Sequence, residues 1–154
     1  MSALDNVKSG GKMAFKEKIA WLALVTMLVA YGVYFGVVGP RVGFGAHSLV
    51  DIIWSFGPVA AAHAIAMIVG GIVIAGMAVR EARAPSDERD RAIARRGATV
   101  AYYVLISGMI LVGTVMPFSD PPWKIINAAL AAIVVAEVSH QVVILLGYRR
   151  GWHA

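Results

Sequence analysis

Four long apolar runs are the feature that most constrains how this chain can fold. A bilayer core about 30 Å thick is crossed by about 20 helical residues, and each run is close to or above that length. We predict membrane spans over residues 19–38, 52–79, 98–116 and 125–147. None of them shows the alternation of a barrel strand, and a helix satisfies its own backbone hydrogen bonds inside lipid. The sequence therefore predicts an all-α fold, a four-helix transmembrane bundle.

The composition agrees with a membrane protein. The mean hydropathy is +0.73, and charged residues make up 15% of the chain, compared with roughly 25% in a typical soluble domain. The longest polar segment, residues 80–97, is too short for a separate domain, so we interpret residues 1–154 as one four-span membrane domain. The first apolar run is longer than the core of a signal peptide, about 7–15 residues, and we therefore keep it as a span.

The basic residues are unevenly distributed around the four spans. Of the 14 Lys and Arg residues, four precede span one, six lie in residues 80–97 and two follow span four, which leaves two for the other side. The positive-inside rule then predicts that both termini and the loop 80–97 are cytoplasmic, N-in and C-in. We expect a bacterial inner (plasma) membrane, contact with the bilayer and its anionic headgroups, and no nucleic-acid partner.

Glu137 is an acidic residue in the middle of the fourth apolar run. A charged side chain at the centre of a bilayer costs about 2.5–3.5 kcal/mol on insertion scales, so such groups usually pair inside the bundle. His140 follows one turn later, and His63 lies deep in span two. Adding the polar side chains of span three, we predict a buried polar cluster, a proton or ligand site, made of Glu137, His140, His63, Tyr103 and Ser107.

Several interpretations of this cluster remain open. Glu137 could lock the helices through a hydrogen bond, or it could serve a small proton-coupled transporter or channel. A less favoured alternative is haem b bound between His63 and His140. Glu137 and His140 have the E-x-x-H spacing of di-iron bundles, but the required second motif is missing. We therefore predict no metal site and no cofactor.

No motif of a soluble or intramembrane enzyme is found in the sequence, and Cys is absent. We therefore predict no enzymatic activity and no catalytic residues. The favoured interpretation is a structural or accessory component of the membrane.

Small residues recur at a spacing of four in three of the spans. Such spacing lets helix backbones approach closely in lipid. It also leaves self-association, or contact with another membrane protein, open as a role. The predicted packing residues are Gly32 and Gly36 in span one, Ala62, Ala66 and Gly70 in span two, and Ala128, Ala132 and Ala136 in span four.

The segment from Pro85 to Ile93 is predicted to extend span three as a helix. Ser86 or Asp87 can cap it, and acidic residues in its first turn suit the helix dipole. Its charged face is either solvated or a contact for a partner or for lipid headgroups. The residues assigned to that contact are Asp87, Glu88, Arg89, Asp90, Arg91, Arg95 and Arg96.

The stretch Ser86-Asp87-Glu88-Arg89-Asp90-Arg91-Ala92-Ile93 also carries a family resemblance. It resembles small bacterial four-pass membrane proteins of uncharacterised activity that have a D-E-R-D-x-x-I segment between spans two and three. The ending Gly147-Tyr148-Arg149-Arg150-Gly151 is similar to their short tails rich in Tyr and Arg. The resemblance implies a four-pass topology, and it carries over no catalytic residue.

Overall fold

The computed structural model describes residues 15–38, 40, 48–80 and 87–150. Within these ranges the chain forms four long helices and no strand: α1 (Phe15–Val33), α2 (Leu49–Met77), α3 (Glu88–Ile110) and α4 (Pro122–Arg149). Each helix is apolar and long enough to cross a membrane. The predicted all-α fold with four spans is confirmed.

The third helix begins well before the predicted span. It starts at Glu88, with Asp87 as its N-cap, and the Asp87 side chain accepts a hydrogen bond of 2.6 Å from the backbone N–H of Asp90. The helical extension is therefore present from Glu88 to Ile93, whereas Pro85 and Ser86 lie outside the described residues. Together with the irregular turns that follow it as far as Phe118, the third helix spans 31 residues. Its length of about 46 Å, at 1.5 Å per residue, exceeds a bilayer core of about 30 Å.

Two helices finish in wider or tighter turns. A π-helix over Tyr34–Val38 continues α1, and α3 continues as a π-helix over Leu111–Val115 and a 3₁₀ turn over Met116–Phe118. Pro117 lacks a backbone N–H, and its ring crowds the carbonyl four residues earlier. The regular α-helical hydrogen bonding of α3 therefore cannot continue through this turn.

The packing order of the helices differs from their order in the chain. Helix α3 packs along α4, and α1 packs against both α4 and α2. The principal contacts therefore run in the order α2, α1, α4, α3. Helix α1 buries Ala20, Ala23, Leu24 and Met27, whereas the most apolar stretch of α2 has no buried residue within the described part of the chain. The exposed face of α2, with side chains such as Ile65 and Ile72, suits contact with lipid better than contact with water.

Polar contacts between helices mark the two ends of the bundle. At the basal end, Lys16 at the start of α1 pairs with Asp90 at the start of α3. At the apical end, the Tyr34 hydroxyl donates a hydrogen bond of 2.8 Å to Oδ1 of Asn127, near the start of α4. Consecutive helices therefore run in opposite directions, and the described ends of the chain, near Phe15 and Arg150, lie at the same basal end.

Candidate functional site

Glu137 lies on the lateral surface of the bundle, beside His140. Its side chain is 51% exposed, and its Oε2 lies 3.7 Å from Nδ1 of His140, three residues further along the same helix. This separation is longer than a hydrogen bond, so the two groups attract each other as charges only when the imidazole is protonated. Glu137 therefore presents its carboxylate to whatever surrounds α4 at this depth.

The His140 ring of α4 packs against α3 at Gly97, where α3 has no side chain. A Cβ at Gly97 of α3 would lie 2.8 Å from Cδ2 of His140 and 3.1 Å from Cγ1 of Ile144. Gly97 is thus the position where α3 makes room for the imidazole. Because the ring is packed there, its Nδ1 stays directed toward the Glu137 carboxylate.

His63 lies at a different interface. Its ring centroid is 5.4 Å from that of Tyr31 on α1, and its Nδ1 is buried without a hydrogen-bond partner among the described residues. The expected single cluster is divided because α1, rather than α4, is the main neighbour of α2. The two histidines consequently face different helices, His63 toward α1 and His140 toward α3.

Among the described residues, the polar side chains of span three make no hydrogen bond to Glu137. Tyr103 is exposed on α3, and the Ser107 hydroxyl donates a hydrogen bond of 2.8 Å to the Tyr103 carbonyl within the same helix. This local bond satisfies the hydroxyl without any other helix, as is common for serine inside helices. Of the predicted cluster, the structure brings together only Glu137 and His140.

Asp90 joins three helices at the basal end. Its Oδ2 lies 2.8 Å from Nζ of Lys16 on α1, and its Oδ1 accepts a hydrogen bond of 2.7 Å from the Tyr148 hydroxyl on α4. Its side chain is 23% exposed, so water weakens these contacts less than it weakens a fully solvated ion pair. We call Lys16, Asp90 and Tyr148 the basal junction.

A second contact between α1 and α4 flanks this junction. Nε of Arg149 lies 3.9 Å from Oε1 of Glu17, and the guanidinium carbon lies 5.1 Å from the centroid of the Trp21 ring. A cation over an indole face is favourable, and the Arg149 side chain consequently links the end of α4 to two successive turns of α1.

The D-E-R-D-x-x-I segment meets the Gly-Tyr ending of α4 directly. Ile93, only 4% exposed, occupies the space beside Gly147, where a Cβ would lie 2.9 Å from its Cγ2. Asp87 caps α3 and Asp90 binds Tyr148, so each of these residues has a structural role inside the protein. The described parts of these two segments, residues 87–93 and 147–150, therefore meet at one interface.

The other charged residues of the segment lie nearer the surface. Arg89 donates a long hydrogen bond of 3.5 Å to the Tyr148 carbonyl. The remaining side chains assigned to partner or lipid contact are exposed, namely Glu88, Arg91, Arg95 and Arg96.

The small residues divide between helix contacts and open positions. Gly70 faces Leu22 of α1, and a Cβ at Gly108 of α3 would lie 2.8 Å from the Cβ of Ala132. Ala136 is buried and Ala128 is partly buried, whereas Ala62 and Ala66 are exposed. A Cβ at Gly32 or Gly36 would meet nothing within 4 Å.

Sequence reasoning missed three glycines at the interface between α3 and α4, each of which leaves room for a side chain of the other helix. Gly97 and Gly108 lie at the interface of α3 with α4, and Gly147 lies on the opposite side of that interface. Gly97 and Gly108 are eleven residues apart, about three turns, which places them on one face of a helix. The eleven-residue spacing is the sequence signal that could have identified the face of α3 that packs against α4.

Sequence reasoning also missed the contact at the apical end. Tyr34 is 2% exposed, its ring meets Phe56 of α2 edge to face at 5.0 Å, and its hydroxyl reaches Asn127 of α4. The Asn127 amide in turn donates to the Trp123 carbonyl at 2.9 Å. Tyr34 therefore connects α1 to both of its neighbours.

Comparison with known proteins finds no match: no family model, no curated protein and no solved structure is similar to the chain. Within the described residues, no group of three or more His, Asp or Glu side chains is placed to hold a metal ion. The four apolar helices are compatible with a multi-pass integral membrane protein.

Proposed function

We propose that the protein is a structural component of a bacterial inner membrane and that it associates with a second copy of itself. The contact is made by the face of α4 that carries Ile133 and Glu137, which we call the Glu137 face. In this proposal both termini are cytoplasmic, so the basal end faces the cytoplasm, as the distribution of basic residues favours. The role involves no catalytic step and no cofactor.

The observation that carries the proposal is the lateral exposure of Glu137. Its side chain is 51% exposed, fifteen residues into a 28-residue membrane helix, where a charge against lipid costs about 2.5–3.5 kcal/mol. The one acid–base contact described for it, with His140, is long and lies on its own helix. A protein surface opposite Glu137 removes much of this cost by replacing lipid with a polar partner.

The Glu137–His140 pair of one copy is complementary to the same pair of a second copy. Copies inserted in the same direction are related by a two-fold axis along the membrane normal, so residue i meets residue j and j meets i. Glu137 and His140 differ in depth by about 4.5 Å, at 1.5 Å per residue, which side chains at a helix crossing can span. Glu137 of each copy then lies near the exposed part of the His140 ring of the other, a side chain that is 27% exposed, and the two groups attract each other when that imidazole is protonated.

Cysteine cross-linking tests this arrangement cleanly because the chain contains no cysteine. Ile133, one turn before Glu137 and 49% exposed, lies on the proposed face, whereas Val135, 55% exposed, lies on another face of α4. Under mild oxidation in membranes we expect a covalent dimer from Ile133→Cys and none from Val135→Cys. Cross-linking at both positions alike, or at neither, contradicts the proposal.

A Glu137→Gln variant provides the energetic test. Interhelical hydrogen bonds in membranes are worth about 0.6–1.7 kcal/mol, so the dimer should weaken by about threefold to twentyfold. The measurement is energy transfer between labelled copies in lipid vesicles at increasing dilution. An unchanged dissociation constant argues against the Glu137 face.

Proton-coupled transport is the second candidate, and the arrangement of α4 favours it. Glu137, Gln141 and Tyr148 follow one another at spacings of four and seven residues, so they lie along one face that leads from mid-depth to the basal junction. Proteoliposomes carrying a pH gradient would then dissipate it faster with the native chain than with Glu137→Gln. Equal rates for the two argue against transport and leave the structural role standing.

A further inference from the structure

Glu137 and His140 present two metal-ligating atoms side by side on α4. Oε2 of Glu137 and Nδ1 of His140 lie 3.7 Å apart. In a tetrahedral zinc site with bonds of about 2.0–2.1 Å, neighbouring ligand atoms lie about 3.3 Å apart. A small rotation of the exposed Glu137 side chain therefore brings both atoms within bonding distance of one ion. The pair supplies two of the four ligands that zinc usually takes in a closed site.

The packing of the imidazole determines which of its nitrogens is turned toward such an ion. A Cβ built at Gly97 would lie 2.8 Å from Cδ2 and 3.3 Å from Nε2 of His140, so this edge of the ring faces α3. Nδ1 is on the other edge, beside the Glu137 carboxylate. A neutral imidazole can bind a metal through either nitrogen, and the contact with α3 selects Nδ1.

The other two ligands have to come from a second copy, because the described part of one chain holds no group of three His, Asp or Glu side chains suited to a metal. In the proposed dimer, the two Glu137 carboxylates lie at the same depth on either side of the two-fold axis. Like charges placed there oppose association. An ion on the axis meets Glu137 and His140 of both copies, and its two positive charges offset the two carboxylates.

We propose that a zinc ion bridges two copies of the chain at the Glu137 face, bound by Glu137 and His140 of each copy. The bridge rests on the proposed dimer and adds its regulation: the copies associate without the ion, and zinc strengthens the association. Two imidazoles and two carboxylates suit zinc, whereas magnesium and calcium take oxygen ligands. The site has no net charge, which lowers the cost of placing the carboxylates within the membrane.

The first test measures the dimer with and without zinc. Energy transfer between labelled copies in phosphatidylcholine vesicles gives the dissociation constant in zinc chloride and in a chelator. At a zinc concentration about ten times the dissociation constant of the bridging site, the dimer should tighten by about tenfold. The dimer should retain one zinc ion for every two chains. Magnesium chloride should have no such effect, and an equal effect of magnesium would show charge screening and overturn the proposal.

The second test compares the same substitution at two histidines. His140→Phe keeps a flat ring beside α3 and removes the ligand nitrogen, whereas His63→Phe makes the same change at the contact with Tyr31 of α1. Glu137→Gln changes an exposed side chain, so its folding does not depend on the packing of the imidazole. We expect the tightening by zinc to be lost in His140→Phe and Glu137→Gln and retained in His63→Phe.

These measurements distinguish the zinc bridge from the dimer itself. A dimer that is equally strong in zinc and in chelator overturns the bridge and leaves the dimer standing. No association in either condition contradicts the dimer, and the bridge with it. Zinc bound at one ion per chain, or a tightening by zinc that His140→Phe retains, would mean that the ion binds elsewhere, and either result overturns the bridge.

Discussion

Ile93 on α3 fills the space that Gly147 on α4 leaves by having no side chain. The closest approach of a Cβ built at Gly147 would be 2.9 Å to Cγ2 and 3.1 Å to Cγ1 of Ile93. Ile93 is β-branched, so few rotamers are open to it, and it is almost fully buried. Ile93 could not give way easily to a Cβ at position 147, and α3 and α4 are therefore closely matched at this level.

We expect Gly147→Ala to destabilise the protein by about 1–3 kcal/mol, the usual cost of overpacking a close contact. The comparison is Gly71→Ala on α2, where a Cβ meets nothing within 4 Å. That change should be neutral or stabilising by about 0.5–1 kcal/mol, since alanine favours a helix. Unfolding by SDS in mixed micelles, followed by tryptophan fluorescence, measures both. A Gly147→Ala variant as stable as Gly71→Ala would contradict the close contact.

The approach of Gly108 to Ala132 supports a sharper prediction. A Cβ at Gly108 would lie 2.8 Å from the Cβ of Ala132, and a Cβ cannot rotate away because the backbone determines its position. Gly108→Ala should therefore separate α3 from α4 at this level and cost about 1–3 kcal/mol of stability.

Exchanging the two residues is the control for this prediction. In Gly108→Ala with Ala132→Gly, the methyl group moves from one helix to the other, so the double variant should recover more than half of the loss. Thermal unfolding in detergent micelles measures the three variants. Losses that simply add would show that the two positions do not meet.

The basal junction predicts a specific effect of charge. Asp90→Asn keeps an acceptor for the Tyr148 hydroxyl but loses the charge that faces Lys16. Hydrogen bonds to charged groups contribute about 1.5–3 kcal/mol when well shielded. For this partly exposed group we expect a loss of about 1–2 kcal/mol.

Glu88→Gln is the matched variant for Asp90→Asn. Glu88 is an exposed acid in the same first turn of α3, so its change reports only the interaction of an acid with the helix dipole, about 0.3–1 kcal/mol. Chemical denaturation at low and high salt measures the free energy of unfolding of both variants, and Asp90→Asn should lose more of it than Glu88→Gln. Equal losses for both variants would mean that Asp90 acts as a first-turn acid and nothing more.

Tyr34→Phe tests the apical contact. The change removes the donor to the partly buried Asn127 from a fully buried side chain and should cost about 0.5–1.5 kcal/mol, the usual net contribution of a hydrogen bond. Tyr102→Phe, at an exposed ring on α3, should leave stability nearly unchanged. The free energy of unfolding in bicelles distinguishes these outcomes, and a neutral Tyr34→Phe would count against the bond.

Hydropathy located the four helices because crossing a bilayer requires long apolar runs whichever neighbour each helix has. The cap at Asp87 and the helix after it were also predictable, since they depend on residues close in sequence. The order of packing was not predictable from one sequence. Lipid-facing and helix-facing side chains are alike in polarity, so no pattern indicated that α1 separates α2 from α4.

Because one sequence does not show which helices are neighbours, it also could not show which of the candidate site residues meet. Spacing placed Glu137 beside His140, because both lie on one helix. It could not show that His63 faces Tyr31, since that contact depends on which helix lies next to α2. Spacing likewise grouped Gly32 with Gly36 and Ala128 with Ala132, but of these only Ala132 meets another helix at a glycine. A repeat shows which residues share a face and leaves the neighbour of that face undetermined.

Asp90 has a consequence for the order in which the protein assembles. Its two carboxylate oxygens are taken by Lys16 of α1 and Tyr148 of α4, and a ribosome delivers α1 well before α4. While α4 is still being synthesised, Lys16 is the one of these two partners that Asp90 can already meet, and Ile93 has no Gly147 to pack against. The arrival of Tyr148 and Gly147 completes both contacts together, so the basal end becomes closed only as the fourth helix enters the membrane.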